Sequence, residues 1–512
     1  MGERKVLDIP LNRAEGDLEI RVEVEGGVVT DAWSAGTMYR GFENLLVGRG
    51  ALDGLVVTPR ICGICTTTHL TAAVLALDDA ACVRVPDDAV RLRNVALATE
   101  HVQSDVRQAV LMYMADFAGA AHAGHSLHDE AVRRYAPLKG GVATDTIRET
   151  KRVLEIVAII GGQWPHSSFM VPGGVTHRPE ATEILRCRHI LHRYREWYER
   201  RVLGCSIGRW REIRTAGDLD AWVEENGAQR NGEIGFFMRF CREACLDSIG
   251  RGCGRFLSFG GLDLPAATRT KGRRGKLVAA GLAHGGKVHA FDQAKIAEHI
   301  ASSWFEGYEG GRHPFEGLTR PYASGDEAGR YSWAKAPRYD GHPAETGPLA
   351  ELLVARDPLF TDLVTERGPS AMVRQLARMA RPAILFDAMD QWLDELMRSE
   401  GDGFHTSPGA IRDGRGMGLT QAARGALGHW VTIAGGRIQR YQIITPTAWN
   451  ASPRDSAGVR GPWEEALIGT PVRDPANPVE IGHVIRSFDP CLVCCVHSVK
   501  GGRSLGRAVL QV

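Results

Sequence analysis

Near its start the sequence reads Thr58-Pro59-Arg60-Ile61-Cys62-Gly63-Ile64-Cys65, and near its end it reads Asp489-Pro490-Cys491-Leu492-Val493-Cys494. Each stretch contains a Cys-X-X-Cys pair, in which two thiolates lie one short turn apart and can bind the same metal ion. More than 400 residues separate the two pairs, so a metal centre that uses both must be built by the fold itself. Thiolates are soft ligands that suit zinc, nickel and iron–sulfur clusters. The first hypothesis is therefore one buried metal centre that joins the two ends of the chain.

The composition is that of an ordinary globular protein with a large core: 512 residues, 44% hydrophobic and 24% charged. The net charge of +1 gives no argument for a nucleic-acid partner or an anionic membrane. No apolar run reaches the ~20 residues of a membrane span, and the first ten residues lack the apolar core of a secretory signal. We therefore expect no membrane span in this chain. The expected location is cytoplasmic or membrane-associated through partners, and export with a partner that carries a signal stays open.

The chain has eleven cysteines, and an odd number in a large chain indicates reduced thiols and a metal site rather than a disulfide framework. Cys241 and Cys245, with Cys253 nearby, could suggest a second metal cluster. Their spacing is that of a helix, however, and buried structural cysteines are the commoner outcome. We therefore predict structural thiols there.

The hydrophobic pattern predicts a mainly α-helical fold with small peripheral β-sheets, in which a core of long helices holds the buried metal site. Long helical periodicity covers residues 87–118, 145–161, 178–203 and 369–399. Pro382 is predicted to kink or split the last of these. Strand-like alternation around glycine pairs covers residues 17–34, 276–290 and 427–445. Residues 308–348 are rich in glycine, proline and charge, which predicts ordered irregular surface.

The residues that flank the cysteines suggest how the site is supported. Gly63 lets the backbone turn so that both sulfurs converge, and Arg60 can lower thiolate pKa values. His69 could donate an N–H group to a ligand sulfur, and Asp489 could orient a cationic partner. His497 offers a further ligand, although a satisfied structural histidine is the favoured interpretation of both histidines from position alone.

A structural Cys₄ zinc site is the main alternative that the spacing leaves open. Such sites usually close locally, over roughly one or two dozen intervening residues. The wide separation of the two pairs is better suited to a buried catalytic centre.

Four further segments extend the two cysteine loops into a recognisable pattern. They are Asn12-Arg13-Ala14-Glu15-Gly16-Asp17, Tyr39-Arg40-Gly41-Phe42-Glu43, Tyr331-Ser332-Trp333-Ala334-Lys335-Ala336-Pro337-Arg338-Tyr339 and Ala423-Arg424-Gly425-Ala426-Leu427-Gly428-His429-Trp430. Together with the loops, and in this order, they closely resemble the signatures of the nickel–iron hydrogenase large (catalytic) subunit over essentially the whole chain. The resemblance implies one large-subunit domain over residues 1–497, in the uptake or H2-sensing branch, and a C-terminal extension over residues 498–512.

The resemblance further implies a nickel–iron centre held by four cysteines. By motif position, Cys62 and Cys491 are similar to the terminal nickel ligands. Cys65 and Cys494 are similar to the pair that bridges nickel to an iron carrying carbon monoxide and cyanide. Bridging thiolates hold two metals close together and leave an open coordination position between them.

Around this centre the resemblance assigns roles to further side chains. Glu15 matches the family's proton-gate glutamate, which with Cys491 takes the proton from H2 and passes it outward. Arg424 matches an arginine held over the open metal position, where it polarises H2 and pairs with Asp489. Thr447 matches a hydroxyl that hydrogen-bonds a cyanide ligand. Without the motifs, a surface glutamate and an ordinary salt bridge would be the favoured interpretations of Glu15 and Arg424.

Glu43 and His497 match the ligands of a magnesium-type ion that pins the C-terminus into the core. A carboxylate suits such a hard cation, whereas histidine is a less usual partner for it. Family members that undergo maturation lose a tail by cleavage after this histidine, here between His497 and Ser498, once nickel is in place. The resemblance therefore implies a precursor that is processed by maturation factors and a C-terminal endopeptidase.

The chain departs from the common family pattern at several positions. Asp17 stands where many members have His, and Ala423 stands where many have Pro. The helix around Ser104-Asp105 lacks the His-rich segment common in periplasmic members, which leaves a further aspartate contact to Arg424 open, with Asp116 as a candidate. Cys495 lies beside a bridging ligand, and we interpret it as a buried spectator rather than an alternative ligand or oxidation site.

The predicted function is the oxidation of H2 to protons and electrons. No spare set of cysteines has the spacing of an iron–sulfur cluster, so the electrons must leave through an iron–sulfur small subunit as an obligate partner. The alternative is an H2-sensing hydrogenase. The bulky Ile64 beside the site is a sensor-like feature, whereas the C-terminal tail favours a turnover enzyme. A structural Cys₄ zinc protein is the remaining alternative.

Overall fold

The computed structural model describes residues 4–14, 16, 18–265, 274–324, 329–399 and 403–491. Within these ranges the fold is mainly helical with small antiparallel sheets, as the sequence predicted. The helices are α1 (Phe42–Leu46), α2 (Gly54–Val57), α3 (Thr66–Ala80), α4 (Asp87–Arg107), α5 (His128–Tyr135), α6 (Gly141–Val153), α7 (Glu155–Gly161), α8 (Ala181–Tyr198), α9 (Ile207–Trp210), α10 (Ala216–Glu225), α11 (Gly227–Asn231), α12 (Glu233–Glu243), α13 (Pro348–Val354), α14 (Pro358–Arg367), α15 (Ala371–Ala380), α16 (Pro382–Arg398), α17 (Pro446–Asn450), α18 (Pro462–Leu467) and α19 (Val479–Ser487).

The strands form sheets of two or three members each. They are β1 (Lys5–Pro10), β2 (Leu18–Glu25), β3 (Val28–Gly36), β4 (Met170–Val171), β5 (Gly174–Val175), β6 (Arg255–Asp263), β7 (Lys276–His284), β8 (Lys287–His289), β9 (Ile296–His299), β10 (Gly311–Arg312), β11 (Ala336–Tyr339), β12 (Gly414–Ala422), β13 (Gly425–Ala434) and β14 (Arg437–Ile444). The sheet orders are β1-β2-β3, β4-β5, β6-β7-β8, β10-β9-β11 and β12-β13-β14. The three predicted glycine-pair hairpins are confirmed as β2-β3, β7-β8 and β13-β14.

The predicted long helices are confirmed, with breaks inside them. Residues 87–118 form α4, followed by a π-helical turn over Gln108–Tyr113 and a 3-10 turn over Met114–Ala118. Pro382 is the first residue of α16 and divides residues 369–399 as expected, because a proline has no N–H group to continue the preceding helix. The core lies around α4, which is buried along almost its whole length and packs against α6, α7 and α16.

The segment over residues 308–348 was predicted to be irregular and to lie on the surface. The predicted surface position is wrong for part of this segment. Residues 332–339 are buried. Arg338 enters the core because its Nε atom lies 2.7 Å from a carboxylate oxygen of Asp455, and its Nη2 atom donates to the carbonyl oxygens of Pro453 and Val459. A buried ion pair of this kind needs a partner more than a hundred residues away, which a local pattern does not reveal.

The β12-β13-β14 sheet packs closely against α3. A Cβ atom on Gly416 of β12 would lie 2.0 Å from the carbonyl oxygen of Ala76, and one on Gly418 would lie 1.8 Å from that of Ala72. Since no side chain fits at these two positions, the helix packs directly on the backbone of the strand. This contact holds the second half of α3, a helix whose first residue follows Cys65 directly, against the β12-β13-β14 sheet.

The other cysteine loop follows α19, which is fully buried over Ile481 to Ser487 and packs against α15 and α18. Cys491, the last described residue, is thereby held in the core. Within the described ranges, no helix combines the length and the apolar character that crossing a membrane requires.

Candidate metal centre

Three cysteines from opposite ends of the chain meet in the core. The sulfur atoms of Cys62, Cys65 and Cys491 all lie within 4.8 Å of one another. The Sγ atoms of Cys62 and Cys491 are 3.5 Å apart, although 429 residues separate them in the sequence. All three are buried. Three converging soft donors in a buried site fit a thiolate-bound transition metal such as nickel.

The described part of the chain holds no second group of three or more converging metal-ligating side chains. Cys241 is buried in α12, whereas Cys245 is exposed at the end of that helix. The prediction of a buried structural thiol is therefore confirmed for Cys241 and wrong for Cys245, which lies two residues beyond α12 with a positive φ of 58°.

Arg40 supports the first cysteine loop, a role that sequence reasoning missed although the residue lies in a quoted motif. Its guanidinium donates to the carbonyl oxygen of Ile61 over 2.6 Å and to that of Arg60 over 2.9 Å. The Sγ atom of Cys62 accepts the backbone N–H of Ile64 over 3.3 Å.

The prediction that the loop needs a glycine at position 63 in order to turn is wrong. Gly63 has no positive φ, and an added Cβ would meet nothing within 4 Å. The side chain of Arg60 is exposed.

A buried carboxylate that supports the first cysteine loop was also not identified from the sequence. Glu100 of α4 accepts the backbone N–H groups of Thr67 and Thr68 over 2.7 and 3.1 Å, and the Thr68 hydroxyl over 2.6 Å. These donors belong to the first turn of α3, where backbone N–H groups lack helical partners and favour a negative charge. Burial raises the pKa of Glu100 to about 7 against the opposing effect of these hydrogen bonds.

Arg424 lies beside the cysteines and is paired with Asp489. Its Nη2 atom is 3.1 Å from Asp489 Oδ1, and its Nε atom donates to the Asp489 carbonyl oxygen over 3.2 Å. Burial lowers the pKa of Arg424, but the negative charges of Asp489 and of the three thiolates outweigh it and raise the pKa well above its usual value. The guanidinium therefore stays charged beside the sulfur atoms.

Asp489 has a positive φ of 60°, which is uncommon for a residue other than glycine. Besides Arg424, the buried Arg378 holds this turn: its Nη1 atom donates to the Ser487 carbonyl oxygen over 2.8 Å, and its Nε atom is 3.9 Å from Asp489 Oδ2. Thr447 completes the support, because its hydroxyl oxygen accepts the backbone N–H of Cys491 over 3.2 Å. No motif in the sequence pointed to Arg378.

Asp116 is not a partner of Arg424, which corrects that suggestion. Its carboxylate binds Arg486 over 2.6 Å and also pairs with Arg13. Asp105 of α4 likewise pairs elsewhere, with Arg381 over 2.6 Å. Asp489 is the aspartate that the structure pairs with Arg424.

His69 is buried in α3 and belongs to a chain of hydrogen-bonding groups. Its Nδ1 atom is 3.1 Å from His429 Nε2, and His429 Nδ1 is 2.9 Å from the hydroxyl of Tyr441. Burial lowers the pKa of His69 to about 4, so the ring is neutral near pH 7. His429 and Tyr441 are further residues that sequence reasoning did not assign.

Glu43, the predicted magnesium ligand, lies in a small cavity of about 40 Å³. Its Oε1 atom accepts the Ile443 N–H over 2.9 Å, and its Oε2 atom lies 3.2 Å from the Lys335 ammonium. A second buried carboxylate, Glu298, is 3.8 Å from the same ammonium, and burial raises its pKa to about 7. The carboxylate oxygens of Glu43 and Glu298 are suitable ligands for a hard cation. The ammonium group of Lys335 already balances one carboxylate charge at this position.

Several predicted positions lie outside the described residues. They are Glu15, Asp17, Cys494, Cys495, His497, Ser498 and the extension over residues 498–512. The assignments made for them remain predictions.

Comparison with known proteins provides independent evidence. The family described as nickel-dependent hydrogenase matches residues 40–117 and 238–497. The large subunit of the periplasmic [NiFeSe] hydrogenase of Desulfomicrobium baculatum is 32% identical over 534 residues, which covers 97% of this chain and 95% of that protein. The uptake hydrogenase large subunit of Rhodobacter capsulatus is 28% identical, with coverage of 97% and 95%.

A solved structure shows the same fold. The reduced Ni-Fe-Se hydrogenase of D. vulgaris Hildenborough matches with a TM-score of 0.83 and 31% identity, covering 97% of this chain and 100% of that one.

Proposed function

This chain belongs to the nickel-dependent hydrogenase family as a homologue of its large subunits, and we propose that it oxidises H2 to protons and electrons and passes the electrons to a small subunit. The observation that carries the proposal is the buried cluster of Cys62, Cys65 and Cys491, with the charged guanidinium of Arg424 beside it. The numerous relatives named as hydrogenase large subunits support it.

We propose that Cys62, Cys65, Cys491 and Cys494 hold nickel, and that Cys65 and Cys494 also hold an iron that carries carbon monoxide and cyanide. When bound, such a centre would activate H2 for heterolytic cleavage. Thr447 accepts a backbone N–H through its oxygen, so its hydroxyl proton remains available to donate to a cyanide. In this proposal the protein supplies a dry, charged pocket and the groups that move the proton.

Arg424 is proposed to polarise H2 in that pocket, because its charge is fixed by Asp489 and its side chain is buried. Glu15 is proposed to receive the released proton and pass it outward.

The variant Arg424→Lys is expected to slow H2 oxidation about 10- to 100-fold, because it loses one charged hydrogen bond to Asp489. Nickel content should not change, since the cysteines are untouched. The measurement is the rate of acceptor reduction under H2, with metal analysis of the same sample. Arg398→Lys, at a side chain that is 78% exposed, is the matched control. A wild-type rate in Arg424→Lys would exclude the proposed role.

The electrons need a partner, since the described chain has no second cysteine cluster. A hydrophobic surface suitable for one lies next to the first cysteine loop, where the side chains of Leu45, Val47, Leu52 and Val56 are 50–53% exposed. Exposed apolar residues within one short segment of the chain are typical of a protein interface. We propose that the iron–sulfur small subunit binds this surface, which would place its clusters near the metal site.

The C-terminal extension and the second metal are proposed together. Glu43, with Glu298 and Lys335 beside it, is proposed to hold a magnesium-type ion together with His497. Cleavage between His497 and Ser498 would follow metal insertion by maturation factors and release residues 498–512. Because a homologue is named periplasmic, we propose that the compartment follows the partner chain and its signal.

Infrared spectroscopy of the chain purified with its small subunit tests the proposed function. We expect both chains to elute together and the spectrum to contain bands of metal-bound carbon monoxide and cyanide. Absence of these bands in a processed, zinc-containing sample would overturn the proposal in favour of a structural Cys₄ zinc site.

The second candidate is an H2-sensing hydrogenase with the same centre. The observation that favours it is Ile64, a bulky side chain that packs against the buried cysteines. A sensor would show the same infrared bands with slow turnover, so the rate of H2 oxidation separates the two functions.

A further inference from the structure

Arg381 is a buried arginine that contacts the turn carrying Arg424. It lies between α15 and α16 and is 2% exposed. Its Nη2 atom donates to the carbonyl oxygen of Ala423 over 2.8 Å. Because Ala423 directly precedes Arg424, this hydrogen bond acts on the backbone from which the Arg424 side chain starts.

Two buried carboxylates hold Arg381 in this position. Asp105 of α4 accepts from its Nε and Nη2 atoms over 2.9 and 2.6 Å, and Glu351 of α13 accepts from its Nη1 atom over 2.8 Å. The two acidic residues are 0% and 4% exposed. A planar guanidinium that binds one carboxylate through two parallel hydrogen bonds has a fixed orientation. The orientation of Arg381 therefore directs the second N–H group of Nη2 at the Ala423 carbonyl.

The turn between β12 and β13 consists of Ala423 and Arg424, because the residues on either side of them are paired across the hairpin. Its other side packs on the backbone that precedes α13, since a Cβ atom on Gly425 would lie 2.5 Å from the nitrogen of Gly347. The turn is therefore held from two sides, by direct backbone packing at Gly425 and by a charged hydrogen bond at Ala423.

The far end of the Arg424 side chain depends on where this turn lies. Asp489 fixes one edge of the guanidinium through Nε and Nη2. The Nη1 atom is buried and has no hydrogen-bond partner among the residues that the structure describes. A buried N–H group is costly unless it meets an acceptor. Nη1 is therefore the donor of Arg424 that is still available to a ligand, and its position is set by the turn and by Asp489 together.

We propose that Arg381 is a positioning residue for Arg424: held by Asp105 and Glu351, it binds the Ala423 carbonyl and so fixes the turn that carries the Arg424 side chain. The proposal rests on the proposed function for the role of Arg424 in H2 cleavage. Asp489 positions the guanidinium end of Arg424, and Arg381 positions its backbone end. Weakening this contact should therefore lower the rate through Arg424 and leave the metal content unchanged.

The first test measures the turn itself. The full-length chain, purified with its small subunit, is compared with Arg381→Lys by hydrogen–deuterium exchange and mass spectrometry. Lysine keeps the positive charge between the carboxylates, but a single ammonium group does not replace the forked hydrogen bonds of a guanidinium. With one hydrogen bond lost, the amides of residues 422–426 should exchange about 2- to 10-fold faster, whereas those of α14 should not change. Arg398→Lys, at a side chain that is 78% exposed, should leave both segments unchanged.

The second test asks whether Arg381 acts through Arg424. The rate of H2 oxidation per nickel is measured in Arg381→Lys, in Arg424→Lys and in the double variant. Arg381→Lys alone should lower the rate about 2- to 10-fold, and the double variant should be only as slow as Arg424→Lys alone, because the two substitutions affect one contact network. Multiplication of the two separate effects would show that Arg381 acts independently of Arg424 and would overturn the proposal.

A second variant covers the case in which Arg381→Lys does not fold. Asp105→Asn leaves Arg381 in place but removes one of the two parallel hydrogen bonds that orient it, so the same faster exchange of residues 422–426 is expected. Unchanged exchange there in a folded variant would contradict the proposal, and so would a uniform increase over the whole chain. Absence of H2 oxidation and of carbon monoxide bands in the wild type would instead contradict the proposed function, and the exchange measurement would still decide whether Arg381 holds the turn.

Discussion

Cys491→Ser is expected to abolish nickel binding and H2 oxidation together. Cys491 is fully buried, and its sulfur lies 3.5 Å from that of Cys62. Serine is nearly the same size, so the core should remain packed, but a hydroxyl is a harder ligand and stays protonated where a thiol gives up its proton to a metal. The expected protein is folded, with nickel at the background level and no measurable H2 oxidation.

The measurement is nickel content by elemental analysis, with acceptor reduction under H2 on the same sample and circular dichroism to establish folding. Cys245→Ser is the matched control, because Cys245 is exposed beyond the end of α12 and belongs to no metal-ligating group among the described residues. The control should keep both nickel and activity. A folded Cys491→Ser protein with stoichiometric nickel and normal turnover would show that the cluster is not the catalytic site.

Glu15→Gln is expected to leave the metals in place and slow H2 oxidation by about 10²- to 10⁴-fold, the usual contribution of a positioned acid or base. Glutamine has the size and hydrogen-bonding shape of glutamate, but its amide does not take up a proton at neutral pH. The loss should therefore appear in turnover and in hydrogen–deuterium exchange from H2, both of which need the proton to leave the site.

The test combines the rate of H2 oxidation with the infrared spectrum of the same preparation, whose bands should be unchanged. Glu25→Gln is the control, because Glu25 ends β2 with a side chain that is 51% exposed. Glu15→Asp should keep part of the rate, because the carboxyl group is retained on a shorter side chain. If Glu15→Gln turns over as fast as the wild type, another group must carry the proton.

The local pattern of the sequence was sufficient for the four long helical stretches and the three glycine-pair hairpins that it predicted. The hairpin around Gly26-Gly27 and the division of residues 369–399 at Pro382 follow from backbone constraints that act within a few residues. The cysteine pairs were equally visible, because metal-binding loops have a fixed spacing. Where a local rule was applied to a position that did not need it, as at Gly63, the prediction was wrong.

Supporting residues were not predictable in this way, because their partners are distant in sequence. Glu100 lies under the cysteine loop, Lys335 neutralises Glu43, and Arg378 holds the turn at Asp489. Each is an unremarkable charged residue in its own segment. Burial gives each of these residues a defined partner, because a charge removed from water must be balanced by an opposite charge or by hydrogen bonds.

The sequence by itself determined the chemistry of this protein: soft thiolate ligands in two spaced pairs, in a mainly helical chain that resembles one enzyme family. Only the tertiary structure decided which groups surround those thiolates. Close packing of α3 on the glycines of β12 brings His69 against His429 and Tyr441, and the strained turn at Asp489 brings Arg424 to Cys491. The physical reason is that ligand identity is a property of single residues, whereas burial and hydrogen-bond direction arise only when distant segments meet.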